Sequence, residues 1–363
     1  MRRGTGASRV RAADGRPRRS SRGPLVALAV ASLVAVALAF VRLPYVILSP
    51  GPAINTLGTN EDGRPLITVP KDKDHPAGGA LSLTAVSVRG GPGRLLNAYD
   101  LAAAWVAGDR EILPEEAVYP RGATGEQVKR AGQAEMSHSQ EDAVVVAERA
   151  LGLQVGEKVA VGQIPEGSTA AGRLEVGDRI LAVGGRPVST GEQLRQQIQG
   201  YADGSTVAVR VLRKGVERTV TLPVRLKDGR KVVGVGLAVD YTLPVPVTID
   251  PGQVGGPSGG LMFSLGVYDR LTPGDLTGGR RIAGTGTISP GGQVGPIGGI
   301  HQKVVGARGA GAQWFLAPAA NCSEVSHDVP DGIRVVKVET FTQALAGVQA
   351  IAAGRGDGLP GCG

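Results

Sequence analysis

A glycine-rich stretch decides the fold and the chemistry of this chain: Gly255-Gly256-Pro257-Ser258-Gly259-Gly260, followed at 284–312 by GTGTISPGGQVGPIGGIHQKVVGARGAGA. Ser258 is the candidate nucleophile. A serine hydroxyl attacks at neutral pH only with a base in reach and with donors for the oxyanion that forms. Pro257 favours the first turn of a helix, and Gly256 and Gly259 favour close approach of a substrate backbone and leave N–H groups free to face negative charge. The stretch therefore predicts a serine at a helix N-terminus.

Lys303 is the candidate base. Ile300, Lys303, Ala307 and Ala310 recur at i, i+3, i+7 and i+10, so they share one face of a predicted helix. An ammonium held against apolar side chains loses hydration, which lowers its pKa and lets the neutral amine accept the serine proton. His301 lies about 200° round the helix from this face and does not share it.

The stretch resembles the proteolytic domain of the Lon family, whose members use a Ser-Lys dyad. The resemblance implies that Ser258 is the nucleophile, that Lys303 is the general base, and that Thr285 supports the dyad with a hydrogen bond. It also implies a possible homo-oligomer, because Lon-type domains often form rings. The matching segments are GGPSGG at 255–260, Thr285-Gly286, Gly292-Gln293-Val294, and Pro296-Ile297-Gly298-Gly299-Ile300 with Lys303.

Two positions depart from the family pattern. Gly255 stands where many Lon proteases carry an acidic residue, and Thr287 stands where they often carry Glu. These departures concern the cleavage preference and the tuning of the dyad. The alternative interpretation is a glycine-rich turn together with a helix lysine that reaches solvent.

The net charge of +8 comes from the N-terminus. Residues 1–23 contain eight arginines and one aspartate, which together carry +7. The remaining chain is almost neutral and has no basic face with interleaved aromatic residues. The sequence therefore predicts no nucleic-acid partner.

Nineteen uncharged residues lie between Arg22 and Arg42, about the length that spans a hydrocarbon core as a helix. We expect a transmembrane helix at 24–48, an Arg-rich cytoplasmic tail at 1–23, and an extracytoplasmic catalytic domain on a single-pass protein of the cell membrane. Ala37-Leu38-Ala39 also fits a cleavage site, so a removed signal peptide is the alternative. The prolines and glycine of 49–52 are expected to end the helix and begin an exported region.

Cys322 and Cys362 fall in the region that is expected to be exported, where disulfides persist. The sequence leaves two interpretations open: the cysteines pair with each other, or they are two independent thiols.

Residues 151–226 form a separate module that resembles a bacterial PDZ domain. The resemblance rests on Gly-Ser-Thr-Ala-Ala-Gly at 167–172 and LEVGDRILAVGGRPV at 174–188. Around these motifs, the pattern predicts strands at 158–164, 206–212 and 217–222 and a helix at 191–199.

PDZ domains add an extended peptide to a sheet edge and often hold its terminal carboxylate in a nest of N–H groups. The resemblance thus implies protein or peptide substrates as partners. Leu151-Gly152-Leu153-Gln154 is a loose counterpart of the usual carboxylate loop, and Thr169 replaces a common proline. Extended peptides are therefore expected more than free C-termini, and a PDZ-shaped spacer without a ligand is the alternative.

The expected fold class is α/β (α+β): a Lon-type proteolytic domain, with an inserted mainly-β PDZ domain, preceded by one transmembrane helix. The proteolytic domain is expected to combine residues 50–150 and 227–350, and 351–363 to form a flexible C-terminal tail. Its predicted elements are strands within 66–88 and at 232–239, 245–249, 314–318 and 333–338, and helices at 95–106, 125–151 and 340–352.

The sequence contains no G-x-x-x-x-G-K-[ST] stretch and no cluster with metal-ligand spacing, so neither a cofactor nor a metal is predicted. The preferred interpretation is a membrane-anchored, ATP-independent serine endopeptidase that hydrolyses extracytoplasmic proteins selected by its PDZ domain.

Two other functions remain open. Residues 256–260 also fit G-x-S-x-G, and Asp275 with His301 or His327 follows in the Ser, Asp, His order of an esterase. The second alternative is an envelope scaffold whose PDZ domain recruits partners and whose Lon-like domain is inert.

Overall fold

The computed structural model describes residues 22–60, 62–76, 78–325 and 329–362. Residues 1–21 of the predicted tail lie outside the described residues, and so does His327. The helices are α1 (Arg22–Phe40), α2 (Ala98–Ala107), α3 (Glu115–Val118), α4 (Gly125–Ala150), α5 (Gly191–Gln199), α6 (Gly260–Arg270), α7 (Ile300–Gly309), α8 (Cys322–Val325) and α9 (Phe341–Ala352).

The strands are β1 (Tyr45–Asn55), β2 (Ile67–Thr68), β3 (Ala80–Gly90), β4 (Glu111–Pro114), β5 (Gly156–Gln163), β6 (Arg179–Val183), β7 (Arg186–Pro187), β8 (Thr206–Arg213), β9 (Val216–Pro223), β10 (Arg225–Lys227), β11 (Arg230–Val232), β12 (Gly236–Thr242), β13 (Thr248–Ile249), β14 (Arg281–Gly284), β15 (Thr287–Ile288), β16 (Val294–Gly295), β17 (Trp314–Pro318) and β18 (Arg334–Val338).

Helix α1 carries the apolar segment, and its large side chains are exposed, Leu33 and Phe40 to 73% each. Within the described part of the chain, no helix combines the length and the hydropathy that a membrane crossing requires.

The central sheet has the strand order β18-β17-β14-β3-β1-β4. Strands β1, β3 and β4 precede the PDZ module in the chain, whereas β14, β17 and β18 follow it. Strand β14 pairs in parallel with both β3 and β17. The two chain segments on either side of the PDZ module thus build one sheet.

Strand β1 was not predicted, because Ser49-Pro50-Gly51-Pro52 has the composition of a break. The structure accommodates the prolines in two ways. The register with β3 shifts between Pro50 and Ala53, and β4 pairs only with Tyr45–Leu48. At the prolines, β1 no longer pairs with β4 and has only β3 as a neighbour. The N–H group that proline lacks is therefore not required for a hydrogen bond to β4.

Helices cover both faces of the sheet. On one face, α4, α6 and α9 bury apolar side chains against strand residues such as Leu81 and Leu316. On the other face, α7 packs against Ala283 and Phe315. Because adjacent strand residues point to opposite faces, one strand such as β17 contributes to both cores. Ser258 and Lys303 thus approach the sheet from opposite sides.

The PDZ module is an antiparallel sheet with the order β12-β5-β6-β8-β9. Its core lies between this sheet and α5, through Leu194 and Ile198 of the helix. Strand β12 belongs to this sheet although it lies beyond the predicted boundary at residue 226, because its residues pair with β5 over its whole length.

Two predicted strands differ from the observed elements. The predicted strand 232–239 is broken at Gly234, whose φ of +80° ends β11 before β12 begins. The predicted strand 245–249 is reduced to Thr248–Ile249, which pairs with β2. Both segments are rich in valine, a residue that favours strands. Composition alone therefore predicted longer strands than the structure contains.

Cys322 and Cys362 form a disulfide across 40 residues of chain. The bond joins the start of α8 to the segment after α9, so part of the tail predicted as flexible is attached to the domain that contains the central sheet.

Candidate functional site

Ser258 lies in the middle of a 3₁₀ turn, Pro257–Gly259, that leads directly into α6. Gly256 precedes the turn with φ +87°, a conformation that favours glycine and brings the chain into the turn. The carbonyl of Pro257 accepts hydrogen bonds from Gly260 N–H and from Ser139 Oγ. The helix-terminal serine predicted from the sequence is therefore present, and it is half-buried.

Lys303 lies in the first turn of α7 and is only 3% exposed. Ile300 and Ala307 share its buried face, as predicted, but Ala310 is exposed because α7 ends at Gly309. The helix comes close to β1, since a Cβ on Gly306 would lie 2.7 Å from the carbonyl oxygen of Gly51. This close approach holds the lysine against the sheet.

The two candidate residues meet although 45 positions separate them. Lys303 Nζ lies 2.7 Å from Ser258 Oγ. At this distance a proton can pass directly between the hydroxyl and the amine. The pair therefore has the geometry of a nucleophile and its base.

Thr285 completes the arrangement at the carboxyl end of β14. Its Oγ1 accepts a hydrogen bond from Lys303 Nζ at 3.0 Å and donates one to the carbonyl oxygen of Ser258 at 3.0 Å. Gly286 N–H donates to the same carbonyl. Thr285 is fully buried and thus fixes the amine relative to the serine backbone.

Burial lowers the pKa of Lys303 to about 8. The cause is desolvation of the ammonium, since the side chain is enclosed by apolar groups of α7 and the sheet. Roughly one lysine in ten is then neutral at pH 7, a far larger fraction than for an exposed lysine.

One expectation about the glycines is corrected. The N–H of Gly256 is not free to face negative charge, because it donates to the carbonyl oxygen of Gly132 in α4 at 2.9 Å. Gly259 is buried, and a Cβ there would lie 2.8 Å from the ring of Phe263. The sequence could not show this, because Gly132 lies more than 120 residues before Gly256 in the chain.

Among the residues that the structure describes, the alternative Ser-Asp-His arrangement is not assembled. Asp275 lies after the C-terminal end of α6, where its carboxylate accepts hydrogen bonds from Thr277 N–H and Oγ1. Helix α6 has 11 residues and is about 16 Å long, so Asp275 and Ser258 lie at its opposite ends.

Asn321 was missed by the sequence analysis. Its amide donates to the carbonyl oxygen of Ile297 and accepts from Ile297 N–H, at 2.9 and 3.0 Å. It thereby holds the loop that leads into α7 and Lys303. Its neighbour Cys322 forms the disulfide, so covalent and hydrogen bonds stabilise the same segment. No local pattern marks a residue whose partner lies 24 positions away.

A second candidate site is a cavity of about 720 Å³ between α5 and the start of β12 in the PDZ module. Leu194 and Ile198 of the helix face Val235 and Leu237 of the strand side. Strand β12 ends the sheet order, so its outer edge lies beside this cavity. Arg195, Arg230 and Lys231 add positive charge to its lining.

The loop predicted as the carboxylate-loop counterpart is not in this cavity. Gly152, Leu153 and Gln154 line a different cleft, next to the N-terminus of α5. The segment 232–237, VVGVGL, takes the position beside the apolar cavity instead. The prediction failed because a strand late in the chain, β12, forms the edge of the sheet.

Two domain families match the chain. Residues 133–224 match the PDZ domain, and residues 243–351 match the Lon protease (S16) C-terminal proteolytic domain.

Lon protease 2 of Bacillus subtilis (strain 168) is 34% identical over 94 residues, which cover 25% of this chain and 16% of that protein. The Lon protease of Roseiflexus castenholzii is 34% identical over 109 residues, covering 29% of this chain and 13% of that protein. A solution structure from Geobacillus thermodenitrificans is 32% identical, covers 20% of this chain and 84% of that chain, and has a TM-score of 0.19. This chain thus spans only 13–16% of the length of these two Lon relatives.

The Lon match contains Ser258, Thr285 and Lys303. The PDZ match contains α5, but it also includes much of α4 and stops before β12. The chain therefore contains a region similar to the PDZ domain, followed by a region similar to the proteolytic domain of Lon proteases.

Proposed function

We propose that this protein is a serine endopeptidase that cleaves peptide bonds with Ser258 as the nucleophile and Lys303 as the general base. The observation that carries the proposal is the 2.7 Å contact between Ser258 Oγ and a buried amine whose pKa is lowered to about 8. A buried lysine beside a serine at a helix N-terminus combines the base and the nucleophile that acyl transfer requires.

The reaction follows from these positions. Neutral Lys303 Nζ accepts the proton of Ser258 Oγ, and the oxygen attacks the substrate carbonyl carbon. The N-terminal end of α6 supplies positive partial charge near the oxyanion that forms. The lysine ammonium then protonates the leaving amine, which departs and leaves an acyl-serine. Water attacks this ester while Lys303 accepts its proton, and the lysine then returns that proton to the departing Ser258 Oγ. The product leaves as a carboxylic acid, which ionises in solvent.

Thr285 has a supporting role in this proposal. Its hydroxyl accepts from Lys303 Nζ, so it holds the amine toward Ser258 while the proton moves. Its own proton is directed to the Ser258 carbonyl, so the threonine does not compete with Ser258 as a donor to the amine.

The PDZ domain is proposed to select protein or peptide substrates. Support comes from the apolar cavity beside the outer edge of β12, where an extended peptide can add backbone hydrogen bonds. ATP is proposed to be unnecessary, because the sequence has no phosphate-binding G-x-x-x-x-G-K-[ST] loop.

Membrane attachment and an extracytoplasmic catalytic domain are also part of the proposal. The support is the uncharged segment before Arg42, the exposed apolar side chains of α1, and a disulfide that favours an oxidising compartment. Alkaline extraction of membranes tests the attachment, and protease accessibility of intact cells tests the side. Release of the protein by alkali would contradict membrane attachment. Protection of the catalytic domain from protease in intact cells would contradict its extracytoplasmic location.

The catalytic proposal is tested with the full chain and unfolded casein in the absence of ATP. We expect cleavage by the wild type and none by Ser258→Ala or Lys303→Ala. The matched control is His301→Ala, which changes the same helix at a residue outside the proposed dyad and should retain activity. Loss of activity in His301→Ala with retention in Lys303→Ala would favour the esterase. Absence of cleavage by all proteins would favour the scaffold.

A further inference from the structure

Ser139 of α4 directs its hydroxyl away from its own helix. A serine inside a helix often donates to the carbonyl oxygen four residues earlier, and Ser137 does so, with its Oγ 3.1 Å from the carbonyl oxygen of Gln133. Ser139 Oγ donates instead to the carbonyl oxygen of Pro257, at 2.9 Å and 118 positions further along the chain. Ser137 is exposed, whereas Ser139 is only 4% exposed. The buried hydroxyl therefore has its partner in the turn that carries Ser258.

One face of α4 holds this turn at two points. Gly132 and Ser139 lie about two helical turns apart and therefore share a face. The carbonyl oxygen of Gly132 accepts from Gly256 N–H at 2.9 Å, and Ser139 binds the carbonyl of the next residue in the turn. The turn leaves room for this hydroxyl, because a Cβ on Gly260 would lie 2.8 Å from Ser139 Oγ. The chain is thus fixed on α4 immediately before Ser258.

The bond from Ser139 also sets the direction of a backbone donor. The carbonyl of Pro257 and the N–H of Ser258 belong to one planar trans peptide unit, so the two groups point in opposite directions. With the carbonyl directed at α4, the Ser258 N–H is directed away from this helix. The N–H lies at the start of a helical turn, where such groups have no acceptor within the helix. In the part of the chain that the structure describes, no backbone carbonyl outside the turn accepts it either.

The peptide unit that follows Ser258 is held by a different part of the domain. Its carbonyl accepts from Thr285 Oγ1 at 3.0 Å and from Gly286 N–H at 2.9 Å, both in the segment after β14. Thr285 also contacts Lys303 Nζ, whereas Ser139 reaches the site through the preceding peptide unit. A change at Ser139 should therefore alter the direction of the Ser258 N–H while the base stays in place.

We propose that Ser139 is a positioning residue for the oxyanion. By holding the Pro257 carbonyl on α4, it aims the Ser258 N–H at the substrate oxygen that becomes negative when Ser258 Oγ attacks. A donor that is fixed before the reaction stabilises this charge without reorganisation. Ser139 acts through the peptide unit that it holds. This inference rests on the proposed peptidase function, and it adds to that function a residue from a helix outside the predicted site.

Steady-state kinetics of the full-length Ser139→Ala protein test this role. We expect kcat for unfolded casein to fall about tenfold with KM unchanged, because the lost support matters only when the oxyanion forms. The fall should be smaller than the loss of about 10²–10³-fold for removal of an oxyanion donor, since Gly260 N–H still binds the Pro257 carbonyl. The matched control is Ser137→Ala, which removes the same hydroxyl from the exposed face of the same helix and should change neither constant.

Two inhibitors separate an effect on the oxyanion from a general effect on binding. A peptide from a casein cleavage site is prepared as a C-terminal boronate and as an unreactive carboxamide. Ser258 Oγ adds to the boron to give a tetrahedral anion that resembles the transition state, while Lys303 takes the proton. Ser139→Ala should weaken inhibition by the boronate about tenfold and leave inhibition by the carboxamide unchanged. The fall of kcat/KM below pH 8, which reports on Lys303, should stay at the same pH.

Other results overturn the inference. Equal inhibition of the wild type and Ser139→Ala by the boronate would mean that the Ser258 N–H needs no support from Ser139. An equal loss for both inhibitors would mean that the substitution distorts the whole site, and a shifted pH profile would mean that it acts through the lysine. If Ser139→Ala does not fold, Ser139→Cys fills nearly the same space with a weak donor and carries the same expectations. Absence of both casein cleavage and boronate binding in the wild type would instead refute the peptidase function.

Discussion

Replacing Lys303 by methionine should abolish proteolysis and stabilise the protein at neutral pH. The ammonium is disfavoured in the folded state, where burial lowers the pKa from 10.5 to about 8. A shift of this size corresponds to about 3 kcal/mol at pH values where the lysine is protonated in both states. Lys303→Met removes this penalty but also removes the hydrogen bond to Thr285 Oγ1, which costs about 1 kcal/mol. The net expectation is a gain of roughly 2 kcal/mol at pH 7.

The sign of the pH dependence follows from the same shift. Below pH 8 the lysine is charged in both states, so the full penalty applies to the protein that has it. Between pH 8 and 10.5 the folded state binds fewer protons than the unfolded state, so the stability of the lysine protein rises with pH. Above pH 10.5 the lysine is neutral in both states and the penalty disappears. The advantage of methionine should therefore vanish across this window.

The assay is equilibrium urea unfolding followed by tryptophan fluorescence, since Trp314 reports on the catalytic domain. Both proteins carry Ser258→Ala to prevent self-cleavage, and the comparison is made with and without Lys303→Met from pH 6 to 11. Parallel stability curves, with no gain at pH 7, would refute the reasoning. The lysine would then have an ordinary pKa, and too little neutral amine would be present for it to act as the base.

Three further predictions concern the site and its support. The kcat/KM for casein should fall about tenfold per pH unit below pH 8, because the neutral form of Lys303 is lost; a flat profile between pH 6 and 8 would exclude this lysine as the base. Thr285→Val should lower kcat about tenfold, because the Lys303 amine loses its hydrogen-bond acceptor. Thr285→Ser keeps that acceptor, so its kcat should stay near the wild-type value. Equal kcat values for the two variants would argue against a role for this hydrogen bond. Replacing Cys322 and Cys362 by serine opens a 40-residue loop and should lower the free energy of unfolding by about 4 kcal/mol. Urea unfolding measures this loss, with the reduced wild type as the control. A variant as stable as the oxidised wild type would contradict the disulfide.

The sequence predicted the fold where the pattern is local. Helix α5 is observed over its predicted range, 191–199, because apolar residues recur on one face next to a capping threonine. The meeting of Ser258 with Lys303 was predicted from the resemblance to a family, not from spacing alone. The three-dimensional contact then gave the distance and the burial that no pattern contains.

The misses share a physical cause, which is pairing between distant segments. Strand β1 forms despite its prolines because β3 and β4 supply partners where the chain can use them. The edge strand beside the PDZ cavity is β12, which follows the other strands of that sheet in the chain, so the carboxylate-loop counterpart was sought at the wrong end of the module. The N–H of Gly256 is occupied by a helix that no local window around Ser258 includes.

The pairing of β3 with β14 has a consequence for how this protein is made. Leu81 lies opposite Ile282, so the central sheet closes only after the whole PDZ domain has been synthesised. Contacts of such high sequence separation form slowly, whereas the PDZ sheet is built from neighbouring segments and can form first. The dyad is attached to β14 through Thr285 and to the sheet through α7, so a nascent chain has no complete dyad until its two halves have joined. The order of synthesis thus delays the contact between Ser258 and Lys303.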